Sequence, residues 1–167
     1  MCIRDRRGPG LGKLDELVNA FTWPGGPNAG DSEVRPMTAE ERGRFERGRV
    51  IFAEVCSVCH QTSGLGEEGK APPLRNSPWL LGSKKRPIRI LVGGLIGPIE
   101  VAGKQWDLEM PVYDQSPEHV AAVLTYVRRE WGHGADPITP EEVAQVMEEM
   151  QTRSAPWTAA ELEAAGD

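Results

Sequence analysis

Between residues 38 and 60 the apolar positions Phe45, Ile51, Phe52 and Val55 recur among charges at helical spacing. Thr38-Ala39-Glu40-Glu41 opens this pattern as a capping box, a threonine followed three residues later by glutamate. The spacing predicts a helix from Thr38 to about His60. Gly48 falls in its middle, where glycine costs about 1 kcal/mol relative to alanine; close approach of a second backbone would offset that cost. A second helical stripe, Val120, Val123, Leu124, Val127 and Trp131 with Tyr126 beside it, begins after Ser116-Pro117-Glu118. Gly132 and Gly134 should stop it.

Shorter elements lie between and after these two. Asn76-Ser77-Pro78-Trp79-Leu80 reads as a helix start, with Trp79 facing a core or a bound group, and residues 86–92 read as a short helix. Ile99-Glu100-Val101 and Lys104-Gln105-Trp106, around Ala102-Gly103, predict a small hairpin. Thr139-Pro140-Glu141-Glu142 opens another capped helix with Val143, Val146, Met147 and Met150 along one face, and residues 156–161 could add a last short turn. The apolar stripe of this tail, with Trp157, is expected to cover the core; the alternative is that it docks a neighbouring domain. At the other end, Leu11, Leu14, Leu17 and Val18 could form one short amphipathic helix, which Trp23-Pro24-Gly25-Gly26-Pro27 breaks. The expected fold class is mainly α, with one hairpin.

Composition narrows the functional classes. The 167 residues suffice for one domain with extensions, and a net charge of -6 argues against nucleic acid, which calls for a basic surface. The longest apolar run, residues 90–99, is interrupted by Gly93, Gly94, Gly97 and Pro98 and is too short to span a bilayer. Aromatic residues make up only 6%, thin for a core of this size. A buried aromatic cofactor would supply the missing bulk. Residues 1–6, Met-Cys-Ile-Arg-Asp-Arg, resemble the translation of a sequencing-library transposon adapter. The expectation is that they are an artefact to be left out of fold reasoning, and that residues 7–37 are a linker or the end of a preceding domain. A signal peptide would then have been lost with the natural N-terminus.

With Cys2 set aside, the two remaining cysteines sit together in Cys56-Ser57-Val58-Cys59-His60. Two thiols three residues apart, followed at once by an imidazole, form the c-type haem attachment pattern. The thiols can add to the two vinyl groups of one haem, and the adjacent His60 then falls beneath the iron. Other readings compete. A redox dithiol usually follows a strand and opens a helix, whereas this stretch closes one. A zinc site needs four ligands, and only His119 and His133 could extend the set.

Gly48-Arg49-Val50-Ile51-Phe52 leading into that motif, with the aromatic-bearing helix near residue 120, resembles the crossed terminal helices of class I cytochromes c. The resemblance implies a cytochrome c domain over residues 38–133, followed by a helical arm over 134–167. Ala71-Pro72-Pro73-Leu74 occupies the place of a family loop whose proline carbonyl accepts a hydrogen bond from the ligating histidine, so Pro72 would be the partner of His60. Electron-transfer haem needs a second axial ligand, usually methionine or histidine. Met110-Pro111 stands where the family carries its methionine. Met37, Met147, Met150, His119 and His133 are weaker candidates, and the two histidines are read as surface or cap residues. Arg75, Lys84, Lys85, Arg86 and Trp106 are candidates for binding haem propionates.

The implied function is one-electron transfer on one covalent haem c, with Cys56 and Cys59 as attachment points and His60 and Met110 as iron ligands. The domain itself would be a carrier, not a catalyst. Thioether formation places bacterial members in the periplasm. Ser77-Pro78-Trp79, residues 97–101, Trp106 and Glu109-Met110-Pro111 are similar to the C-terminal cytochrome domains of large dehydrogenase-like proteins of planctomycete and verrucomicrobial type. That likeness implies an upstream dehydrogenase-like donor and a respiratory acceptor as partners. Two other classes stay open at this point: a five-coordinate haem acting as peroxidase or gas sensor, and a zinc-binding module.

Overall fold

Thr38 caps the first helix as its sequence predicts: its side chain accepts from Glu41 N, and the Glu41 carboxylate accepts from Thr38 N. In the computed structural model, which describes residues 34–166, helix α1 (Ala39–Ile51) passes into a π-helical turn (Phe52–Cys56) and then α2 (Ser57–His60). The expectations for residues 1–33, including the adapter and the helix at Leu11, lie outside the described residues.

The predicted single helix to His60 is therefore interrupted. Ser57 N–H reaches the carbonyl of Phe52, five residues back, which inserts one extra residue into the turn before the cysteines. Such π turns occur often at functional sites. The extra residue re-phases the apolar stripe. Phe52 stays buried, while Val55, expected on the same buried stripe, is half exposed and borders a cavity.

Helices α3 (Pro78–Leu81) and α4 (Lys85–Gly93) precede a two-stranded sheet, β1 (Pro98–Val101) and β2 (Lys104–Asp107). The strands pair antiparallel with Ile99 opposite Trp106. Ala102 and Gly103 both have positive φ, 53° and 73°, the signature of the two-residue hairpin turn. Helix α5 (Pro117–Arg129) then crosses α1. The crossing answers the question posed by Gly48: a Cβ there would run into the carbonyl of Ala122 and lie 2.8 Å from Tyr126 Cβ. Phe45 and Phe52 each pack on Tyr126 with ring centroids 5.2 Å apart.

Helix α5 ends earlier than its stripe suggests. Trp131 lies beyond the last turn with φ 54°, yet its ring still packs edge-on against Phe52 and Tyr126. The chain turns because His133 Nδ1 sits 2.8 Å from the carbonyl of Val127, taking up a carbonyl of the last helical turn.

Helices α6 (Pro140–Glu149) and α7 (Ala159–Ala164) complete the fold, each opened by a full capping box. Ile138, Val143 and Val146 are buried in the same core cluster as Phe52, Val120 and Leu124. Thr125, fully buried on α5, donates to the carbonyl of Ile138 and accepts from its N–H. Leu162 and Trp157 join Leu95, Ile99 and Val101 in a second cluster. The tail is thus part of two hydrophobic clusters, not an appendage. Among the described residues no helix is long and apolar enough to cross a membrane.

Candidate functional site

The π turn and α2 bring Cys56, Cys59 and His60 to the mouth of a cavity of about 330 Å³. Its walls are almost wholly apolar: Phe52 and Leu91 from the early helices, Val123, Leu124 and Val127 from α5, Ile99 and Val101 from the hairpin. Pro72, Trp79, Trp106, Met110 and Tyr113 also line it. Five residues predicted from the sequence, Cys56, Cys59, His60, Pro72 and Met110, therefore meet at one cavity.

The histidine is oriented by the loop that follows it. Gly66 N–H donates to the carbonyl of His60, Leu74 N–H donates to that of Gly64, and Pro72 comes to rest beside the imidazole. His60 Nδ1 lies 3.2 Å from the Pro72 carbonyl, so that nitrogen carries the proton and Nε2 is the one available to a metal. Burial pushes the His60 pKa down, with the Pro72 hydrogen bond opposing it, so the imidazole is held neutral. Neutral imidazole is the metal-ligating form.

The Cys56 thiol argues against the dithiol reading. Burial, with the nearby Cys59 adding to it, pushes the Cys56 thiol up to about 11. Reactive redox cysteines show the opposite, a depressed pKa. Nor do His119 and His133 line the cavity with the thiols. Among the described residues no group of three or more His, Cys, Asp or Glu could hold a metal ion.

Met110 enters from the loop between β2 and α5. Its backbone pairs with Leu95 in both directions, Met110 N–H to Leu95 O at 2.8 Å and Leu95 N–H to Met110 O at 3.0 Å. Tyr113 N–H donates to Leu91 O at 2.8 Å, fixing the loop to α4 three residues later. The rival histidines lie away from the cavity lining. His119, in the first turn of α5, approaches Ser116 Oγ at 3.2 Å. His133, expected at the surface or as a cap, is a buried cap: Nδ1 faces Val127 O and Nε2 accepts from Asn76 N–H at 3.0 Å.

Of the candidates for acidic groups of a cofactor, two are engaged elsewhere. Lys84 pairs with Glu142 and Lys85 with Glu149, both on α6. Trp106 remains at the cavity, its indole Nε1 buried and without a hydrogen-bond partner. An acceptor on a bound group would satisfy this donor.

Residues 45–131, just over half of the chain, match the family model for cytochrome c. The chain belongs to the cytochrome c family. No curated protein matches it. The matched stretch runs from Phe45 on α1 to Trp131, so the second half of α1 with Gly48, all of α5, the Cys56-to-His60 motif and Met110 lie within it. The family implies covalently bound haem c and haem-based electron transfer. The residues present fit that group: an apolar cavity, two thiols beside a neutral histidine at its mouth, a thioether in its wall and one unpaired indole donor. No spacing in the sequence marks Leu95 or Tyr113 as the residues that hold the Met110 segment by backbone pairing, and Trp157, expected to help cover the core, also pairs with Gly94 and Ile96. The Gly93-Gly94 doublet was the available signal.

Proposed function

We propose that this cytochrome c domain carries one electron at a time on a single haem c. Cys56 and Cys59 would bear the thioether links, and His60 and Met110 would hold the iron. The observation that supports this best is the pairing of His60 with Pro72 on the same cavity that Met110 lines. Bound haem supplies the one-electron iron couple. The chain does the rest: Pro72 fixes the tautomer and basicity of His60, the apolar walls would keep water from the iron, and Trp106 would donate to a propionate. A thioether ligand favours the ferrous state, so the potential should be relatively high.

The reading extends to setting. The domain works in the periplasm, taking electrons from an upstream dehydrogenase-like domain or subunit, of the kind found in planctomycete and verrucomicrobial proteins, and passing them to a respiratory carrier. Sequencing the source locus upstream of residue 7 tests the fused arrangement; a start codon with its ribosome-binding site at Met1 would leave only a separate subunit as donor.

Expression with an export signal and a haem-ligation system should give red protein whose haem survives denaturing gels. Oxidised protein should show the weak near-infrared band of methionine sulfur on ferric haem. Met110→Ala should abolish the band, lower the potential and open the iron to cyanide. Wild type that lacks the band and binds carbon monoxide readily would favour the peroxidase or sensor reading. A colourless, zinc-containing product would favour the binding module.

A further inference from the structure

The C-terminal arm meets the candidate ligand loop at one backbone position. Leu95 pairs with Met110 on one side and with Trp157 on the other. Trp157 N–H donates to Gly94 O at 3.0 Å, and Ile96 N–H donates to Trp157 O at 2.8 Å. The result is a miniature three-stranded rung, Met110–Leu95–Trp157, assembled from segments far apart in sequence. Two adjacent glycines make room for it. A Cβ on Gly93 would lie 2.8 Å from Trp157 Cδ1, and a Cβ on Gly94 would lie 3.1 Å from the Met110 carbonyl.

The arm side of the rung is anchored by its own interactions. Trp157 is buried, with the Arg153 guanidinium 3.7 Å from its ring centroid and that of Arg89 5.6 Å away. Arg153 also donates to Pro156 O and to Glu161, whose carboxylate caps α7. Trp157 and Met110 pack on one hydrophobic cluster around Leu95. Met110 itself is partly buried and packs against both hydrophobic clusters, so the rung adds a backbone restraint to its side-chain packing. The matched cytochrome c segment ends at residue 131, so this support comes from outside the matched domain.

We propose that Trp157 is a positioning residue for Met110, acting through Leu95 so that the arm holds the methionine sulfur at the iron. The inference rests on Met110 being the axial ligand. Loosening Trp157 leaves Met110 attached to Leu95 but frees Leu95 to move, and the ligand loop moves with it.

The test uses haem-loaded protein with Trp157→Ala, Trp157→Phe and, as a control for general loss of stability, Val143→Ala in α6. In Trp157→Ala the near-infrared band should disappear on heating well before helical circular dichroism is lost. Cyanide should bind the ferric form about tenfold faster, the scale of one lost hydrogen-bonded restraint. Trp157→Phe, which keeps a flat ring against the guanidinium, should restore both readouts towards wild type. Val143→Ala should lower band and helix transitions together. If Trp157→Ala yields no loaded protein, Arg153→Gln takes the cation off the ring and should give the same split at smaller size. Band and helix lost together in the Trp157 or Arg153 variant, with an unchanged cyanide rate, would overturn the proposal. A wild type without the band, or a band that survives Met110→Ala, would instead remove the axial assignment beneath it.

Discussion

The two sides of the cavity are built by opposite means. The histidine side is local: Cys56, Cys59 and His60 lie close together in sequence at the end of the first helical stretch, and the next twelve residues fold back to place the Pro72 carbonyl at Nδ1. The methionine side is assembled from a distance. Met110 leans on Leu95, Leu95 on Trp157, and the loop after Met110 on Leu91. Local segments pay little loop-closure entropy, whereas pairing distant segments requires the surrounding core to form first. The histidine side should therefore keep its geometry when the tail is loosened, while the methionine side should not.

The largest expected effect breaks the frame common to both sides. Gly48→Ala places a methyl group against the Ala122 carbonyl and Tyr126 Cβ, where α1 crosses α5. Overpacking against backbone should cost about 3 kcal/mol, read by denaturant unfolding of haem-loaded protein. A cost near zero would mean that the helices can separate without loss, and neither side would then depend on the crossing.

A smaller change separates the two sides. Thr125→Val removes the hydroxyl that both donates to and accepts from the backbone of Ile138, where the arm leaves α5. Leaving those buried groups unpaired should cost about 2 kcal/mol, measured in the same way. The near-infrared band should weaken in this variant while the covalent haem and the spectrum of the reduced protein stay unchanged. Equal disturbance of both would erase the distinction.

The same contrast explains what the sequence could reveal. Capping boxes at Thr38 and Thr139 and the hairpin around Ala102-Gly103 are short-range signals seen in the fold, and the crossing of α1 with α5, though long-range, left a local mark in the mid-helix Gly48. The π turn is different. It depends on which register of Phe52 and Cys56 suits the core and the cavity together, and no spacing rule encodes that choice. The end of α5 at Arg129, with Trp131 packing back from outside the helix, likewise depends on His133 reaching Val127 O. Lys84 and Lys85 looked available to a cofactor because their partners, Glu142 and Glu149, lie more than fifty residues downstream. Trp157 read as the start of a minor turn because its partners Gly94 and Ile96 are equally remote.

The smallest expected effect falls on the histidine side and is set by pH. His133 is buried, donates from Nδ1 to Val127 O and accepts at Nε2 from Asn76 N–H, four residues beyond Pro72. Its pKa is lowered, first by burial and then by Arg75 and Arg128, against the raising influence of the Val127 carbonyl and Glu130. The unfolded chain therefore binds the proton more readily than the folded one. Stability from this group is complete above the unfolded value, near 6.5, and falls as pH drops from there through the lowered folded value. Protonation turns Nε2 into a donor facing another donor, so Asn76 loses its acceptor and the loop leading back to Pro72 loses a tie. Unfolding free energy should fall below pH 6.5 with a slope no steeper than one proton, and His133→Gln should flatten that part of the profile. The near-infrared band, which reports the methionine side, should be unmoved over the same range. A band that fades with the protonation of His133 would show that the two sides of the cavity are coupled.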